Sequence, residues 1–288
     1  MKSRISMTLG TRFRITFFSL FSLLFYSSSH AALSEQDFFN MKKMVDDEFR
    51  ADFAKLGLAL KIDGDWRSNK QGVYSYMDAN AFTISIPGDY ARIPGMTVDV
   101  LALTLCHEMG HVLGGGPNYE LYSHHHVKKS VEGQADYFAA TKCLKRLFKD
   151  RSENRAVYRS YPYPLKIEMQ RLCQTFQCTR IIGTAWCYTQ LFTKQNCQGT
   201  PTGRSSIQAQ LSLRSPIKVP ETLRELPSLQ CRLDTYVAGA ICPLSEFEAF
   251  DPYDLSVGAC MSDALNQEEV LGARPACWFS PTLHESKI

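Results

Sequence analysis

Apolar and polar positions recur along this chain with a period that changes from one segment to the next. Between residues 34 and 60, Phe38, Met41, Val45, Phe49, Phe53 and Leu56 follow one another at steps of three and four, the spacing of one helical face. Ser34 is placed to cap that helix and Gly57 to stop it. Past a run of turn residues the period drops to two. Phe82, Ile84 and Ile86 alternate with Thr83 and Ser85 ahead of Pro87-Gly88, which predicts a half-buried strand. Helical spacing returns from Thr97 to Leu113, with Asp99 favourable in the first turn and glycines from 114 as the stop. A loop rich in Gly, Tyr and His is expected over 114–127. A further helix is expected from Val127 to Phe148, its lysines and arginines mainly toward solvent.

Beyond residue 150 the periodicity weakens. Only "KIEMQRLCQTF" and "IIGTAWCYTQLF" read as short helices, among Pro-rich, Cys-rich and Gly/Pro/Ser-rich stretches without an internal repeat. The cysteines follow the same division. Of ten, only Cys106 and Cys143 precede residue 150, and the other eight lie between 173 and 277. The chain therefore divides into a front half over 32–150 and a Cys-rich extension over 151–288 packed on it.

Residues 1–31 stand apart from both. Lys2, Arg4, Arg12 and Arg14 precede a 12-residue apolar run, Ile15 to Tyr26, and then "SSSHAA". That order is the pattern of a secretory signal peptide cut between Ala31 and Ala32. The run is short of the ~20 residues a membrane-spanning helix needs, and no later stretch is long and apolar enough to span. Without those residues, 28 basic side chains face 29 acidic ones, a net charge of −1. The basic character of the whole chain thus points to export, periplasmic or secreted, and away from a nucleic-acid partner. In an oxidising compartment an even set of cysteines is expected to form disulfides. The rival, a cysteine zinc cluster, finds no second close pair to match Cys173 and Cys178.

The chemistry sits at "CHEMGH". On a helix His107 and His111 lie one above the other and can hold one metal ion, with Glu108 beside them to take a proton from water. Alone the pattern is also that of a helix with two histidines bonded to solvent or core. A third ligand is needed. The position six beyond His111 is Pro117, which cannot bind metal. Glu132, in "SVEGQADYFAA", follows His111 by 21 residues, room for a loop and an antiparallel return. Asp136 lies four further on the same face, placed to accept the free N–H of His107. Imidazoles with a carboxylate suit zinc, one Zn2+ per chain. If the two helices pack antiparallel, Cys106 and Cys143 meet and staple the site; otherwise Cys106 is a buried free thiol.

"HEMGH" followed by "EGQAD" resembles the gluzincin metallopeptidases, and the Ala-Asp ending is similar to their CAAX-prenyl-protease and heat-shock-protease branch. "NAFTISIPG" at 80–88 resembles a segment of the same branch. The resemblance covers residues 75–145. It implies an α+β, zincin-like fold in which His107, His111 and Glu132 are zinc ligands, Glu108 is the general base and Asp136 orients His107. The implied activity is hydrolysis of peptide bonds in a peptide or protein substrate, with the strand over 81–86 as the cleft wall onto which an extended substrate adds. Two other readings stand beside it: a zinc-binding module without catalysis, and a zinc hydrolase of cell-wall peptides. Tyr119, Tyr122 and His124 to His126 are candidate donors to a developing oxyanion, the triple histidine being equally a solvated loop.

Overall fold

The computed structural model describes residues 33–70, 72–78, 80–121, 127–191, 209–261 and 272–281. The expected leader over 1–31, and Tyr122 and His124 to His126, lie outside the described residues. Helix α1 (Glu35–Lys55) is capped by Ser34, whose hydroxyl accepts from the Asp37 amide while Asp37 reaches back to the Ser34 N–H. This reciprocal pair satisfies two backbone donors that a helix start leaves open. Its buried face is Phe38, Met41, Val45, Phe49 and Phe53, the stripe that the spacing predicts except for Leu56, which is the C-cap residue and is exposed.

Strands β1 (Ala59–Asp63), β2 (Tyr74–Asp78) and β3 (Ala81–Ser85) form one sheet in the order β1-β3-β2. Strand β3 pairs in parallel with β1 and antiparallel with β2. Here the expectation is corrected. Thr83 is 1% exposed, so both faces of β3 are covered. Both of its hydrogen-bonding edges are taken as well, and it cannot accept a further strand. The edge toward the cleft is β2, where no strand was expected and where Tyr74 and Tyr76 alternate with the more buried Ser75 and Met77.

A short helix, α2 (Gly88–Ala91), precedes α3 (Val98–Leu113), which starts on the Thr97 cap and ends at Gly114. Asp99 is in its first turn as expected, but it is also buried against Arg180, which donates from Nε at 2.8 Å and Nη2 at 2.7 Å. Strands β4 (Asn118–Leu121), in the expected loop, and β5 (Lys128–Ser130), in the first turn of the expected helix, form an antiparallel ladder. Helix α4 therefore begins at Glu132, not at Val127, and runs to Phe138. It continues through a π-helical stretch, Ala139–Cys143, into α5 (Leu144–Leu147). Its lysines are not on a solvent face. Lys142 and Lys145 are 2% and 9% exposed, donating to the carbonyls of Ser245 and Cys242 at 2.7 and 2.6 Å. Burial pushes both ammonium groups down to about 8. Periodicity could not show this, because the surface that covers them comes from a distant part of the chain.

Past residue 150 come α6 (Arg151–Ser160), α7 (Tyr163–Leu172), α8 (Phe176–Leu191) and α9 (Leu229–Ile241). The two sequence-predicted helices of this half fall in α7 and α8. Helices α8 and α9 pack on each other, α8 on α3, and α9 on α4 and the π-helical stretch. Residues 32–288 form one compact unit, with no division at 150. The architecture is α+β, with the helices α3 and α4 at its centre.

Cys106 and Cys143 are bridged, with Cα atoms 5.6 Å apart. The staple between the helices carrying the two motifs is therefore present. Cys173–Cys178, Cys231–Cys277 and Cys242–Cys260 are also bridged, all within the extension. Among the described residues no cysteine is free and no helix is long and apolar enough to cross a membrane.

Candidate metal centre

Three side chains converge between α3 and α4. One ligand atom from each of His107, His111 and Glu132 lies within 4.8 Å of the others. His107 Nε2 is 3.2 Å and His111 Nε2 3.6 Å from the Glu132 carboxylate oxygens. The other ring nitrogens are occupied. His107 Nδ1–H donates to Asp136 Oδ1 at 2.7 Å, and His111 Nδ1–H donates to the Ser130 carbonyl at 3.1 Å. Fixing the proton on Nδ1 leaves both Nε2 lone pairs directed to the same place. Two neutral imidazoles and one carboxylate are compatible with a single metal ion, and this group is the one such set among the described residues.

Close helix packing makes the convergence possible. A Cβ at Gly110 would lie 2.7 Å from the Ala135 backbone, so only glycine between Glu108 and His111 lets α4 come near enough for Glu132 to reach. The Cys106–Cys143 bridge ties the same helices one residue before His107.

Asp136 is fully buried and holds more than His107. Arg232 of α9 donates to it from Nε and Nη2, both at 2.7 Å, and the Tyr236 hydroxyl makes a short bond to Oδ1. Burial favours the protonated acid, but Arg232 and then His107 outweigh it and hold Asp136 below the usual carboxylate range. For His107, burial favours the neutral ring. Asp136 against Nδ1 and Glu132 against Nε2 reverse that and lift it to about 10 with no metal present. Burial and the neighbouring charge of His107 lower His111. Glu132 lies below its ordinary value, because its partners His107 and His111 exceed the opposing effect of burial.

Glu108 accepts a 2.6 Å bond from the hydroxyl of Ser75 on β2, a contact that fixes one carboxylate oxygen and leaves the other. The site opens into a cleft of about 340 Å³ whose lining includes Val73, Tyr74, Ser75, Glu108, Tyr188 and Leu226. Tyr119, one expected oxyanion donor, is not part of that lining and packs near Lys129.

Sequence reasoning did not find Ser75, Arg232, Tyr188 or Tyr236. Arg232 had a signal: Ser228 caps a stretch with apolar residues at Leu229, Leu233, Tyr236 and Val237, so an arginine on that stripe faces the interior and needs an acid. No protein-family model, curated protein or solved structure matches this chain.

Proposed function

We propose that this protein is an exported, zinc-dependent metalloendopeptidase of the gluzincin kind. The observation that carries the reading is the arrangement on α3 and α4: two Nε2 atoms and a carboxylate within ligand distance, with Glu108 beside them in an open cleft. His107, His111 and Glu132 would hold the ion. A zinc ion in such a set polarises a carbonyl and lowers the pKa of water to about 7. Glu108 takes the proton of the attacking water on its carboxylate and delivers it to the leaving amine. Ser75, bonded to one Glu108 oxygen, orients the base. Asp136 fixes the Nδ1 proton of His107, and Arg232 keeps Asp136 ionised.

A peptide would bind in extended form along β2, the sheet edge beside the cleft, through backbone hydrogen bonds. The disulfides support an oxidising compartment. The test is incubation of the purified protein with unfolded protein and, separately, with cell-wall peptides, with zinc and with chelator. Zinc-dependent cleavage of unfolded protein that Glu108→Gln abolishes supports the proposal. Cleavage confined to cell-wall peptides, or tight zinc binding without turnover, replaces it by one of the two rival readings.

A further inference from the structure

The cleft has a floor of hydroxyl groups beside the metal ligands, formed by Tyr90, Thr104, Tyr188 and Tyr236 together with Arg232. Most of the proton directions there can be assigned. Thr104 donates its only hydroxyl proton to the Val100 carbonyl at 3.0 Å. In the 3.0 Å bond between Tyr90 and Thr104, Tyr90 is therefore the donor. The Tyr90 oxygen is left as an acceptor, with no donor to it among the described residues. Arg232 supplies the complement. Its Nε and Nη2 hydrogens go to Asp136 and Tyr236, and one Nη1 hydrogen goes to the Tyr188 hydroxyl at 2.7 Å. The other Nη1 hydrogen has no acceptor among the described residues. Tyr90 and Arg232 line the same cleft as Glu108, which brings this acceptor and this donor into one recess next to the general base.

A recess that loses its water when substrate binds must have its polar groups met by the substrate. An aliphatic side chain meets neither the acceptor nor the donor. An ammonium group has nothing to offer Arg232. A carboxylate has nothing to offer the Tyr90 oxygen, and it would approach Glu108 and Glu132. A Ser or Thr hydroxyl offers both roles from one oxygen close to the backbone, whereas a carboxamide carries its acceptor oxygen and donor NH2 on two atoms of one planar group and reaches Arg232 and Tyr90 together. We infer that the recess selects a residue with a carboxamide side chain, Asn or Gln, on one side of the scissile bond. This rests on the peptidase reading and adds to it the substrate class.

The test pairs near-isosteres, Asn with Leu and Gln with Met, at each position flanking the bond in otherwise identical fluorogenic peptides. Zinc-loaded wild-type protein should show a kcat/KM at least about tenfold higher for the amide at one flanking position, the order expected from one neutral hydrogen bond. Tyr90→Phe, which removes the acceptor, should bring that ratio down about tenfold. Thr104→Ser, which keeps the proton directions, should retain the ratio. Equal or better cleavage of Leu and Met peptides, or an unchanged ratio in Tyr90→Phe, overturns the inference and leaves the peptidase intact. Binding of labelled peptides to zinc-loaded Glu108→Gln, followed by fluorescence anisotropy, separates the two claims. Amide-selective binding with no cleavage by the wild type overturns the peptidase reading and supports the recess. Binding without amide preference overturns the recess, whatever the wild type cleaves.

Discussion

Arg232 and Asp136 face each other as a two-pronged ion pair, Nε on Oδ2 and Nη2 on Oδ1, both at 2.7 Å and both out of water. The pair joins the Cys-rich half to α4 at the carboxylate that holds His107 Nδ1. Removing the cation strands a buried charge, which costs about 3–5 kcal/mol in such settings. Arg232→Met should lower stability by that order in chemical denaturation, and should weaken zinc binding through the misplaced His107. Wild-type zinc affinity in a destabilised Arg232→Met protein would show that the pair stabilises the fold and does nothing for the site.

Glu108→Gln should keep metal and fold but lose turnover by about 10²–10⁴-fold, the usual worth of a general base. The amide is close in shape, and the Ser75 hydroxyl can still donate to its oxygen. Metal content and activity measured on the same preparation decide it. An active, fully loaded mutant removes Glu108 from the mechanism.

Glu132→Ala should lose most of its zinc, whereas changing His124, His125 and His126 together should leave one zinc per chain. Asp136→Asn should fall between, with affinity or activity down about 10–100-fold, as for changes to the partner of a metal-binding histidine. Zinc analysis after dialysis against a weak chelator ranks the three. Metal retained by Glu132→Ala and lost by the triple mutant reverses the ligand assignment.

The proton on His107 gives two opposite pH trends. Its pKa in the metal-free fold, lifted from 6.5 to about 10, contributes stability that is full below 6.5 and lost as the pH rises toward 10. The melting temperature of metal-free protein should fall across that window. The same proton must leave Nε2 before a metal binds there, so zinc affinity should rise with pH over the same range, by up to about tenfold per unit. Competition with a chromophoric chelator from pH 6.5 to 9 reads the second trend, and a flat affinity contradicts it.

Cys106 and Cys143 close a loop with a sequence separation of 37, for which the chain-entropy account gives about 4 kcal/mol at most. Replacing both by alanine should destabilise the metal-free protein by about 2–4 kcal/mol. Zinc should restore part of this, since it joins the same two helices. A double mutant as stable as the wild type without zinc would mean that packing alone sets the helix spacing.

Which of these features the sequence announces follows from range. Local periodicity marked α1 and α3, and Ser34 marked the start of α1, because caps and apolar stripes act within a few residues. The spacing from Cys106 to Cys143 left two readings open, a bridge if the helices pack antiparallel and a buried free thiol otherwise, and the bridge is the one that forms. What was not legible depended on partners far along the chain. Phe82 to Ile86 reads as a half-buried strand until the Thr83 face is covered as well and β1 and β2 occupy its edges. Tyr74-Ser75-Tyr76 alternates over only three residues, too short a run to mark a strand, and is extended where β3 pairs with it. Lys142 and Lys145 look like a solvent face until the segment after α9 folds over them.

Trp278, fully buried in the last described segment, lies against Gly133, the residue after Glu132, where an added Cβ would be 2.2 Å from the indole. Arg274, four residues earlier, donates to Gln134 and to the Gly116 carbonyl. The order in which a chain is made therefore sets when this centre can exist. When residue 225 leaves the ribosome, His107, His111 and Glu132 are already present, but α9 and the segment that wedges α4 in place are not. Any metal met at that moment meets three side chains without a frame, and the group closes only once residues 229–278 have been delivered.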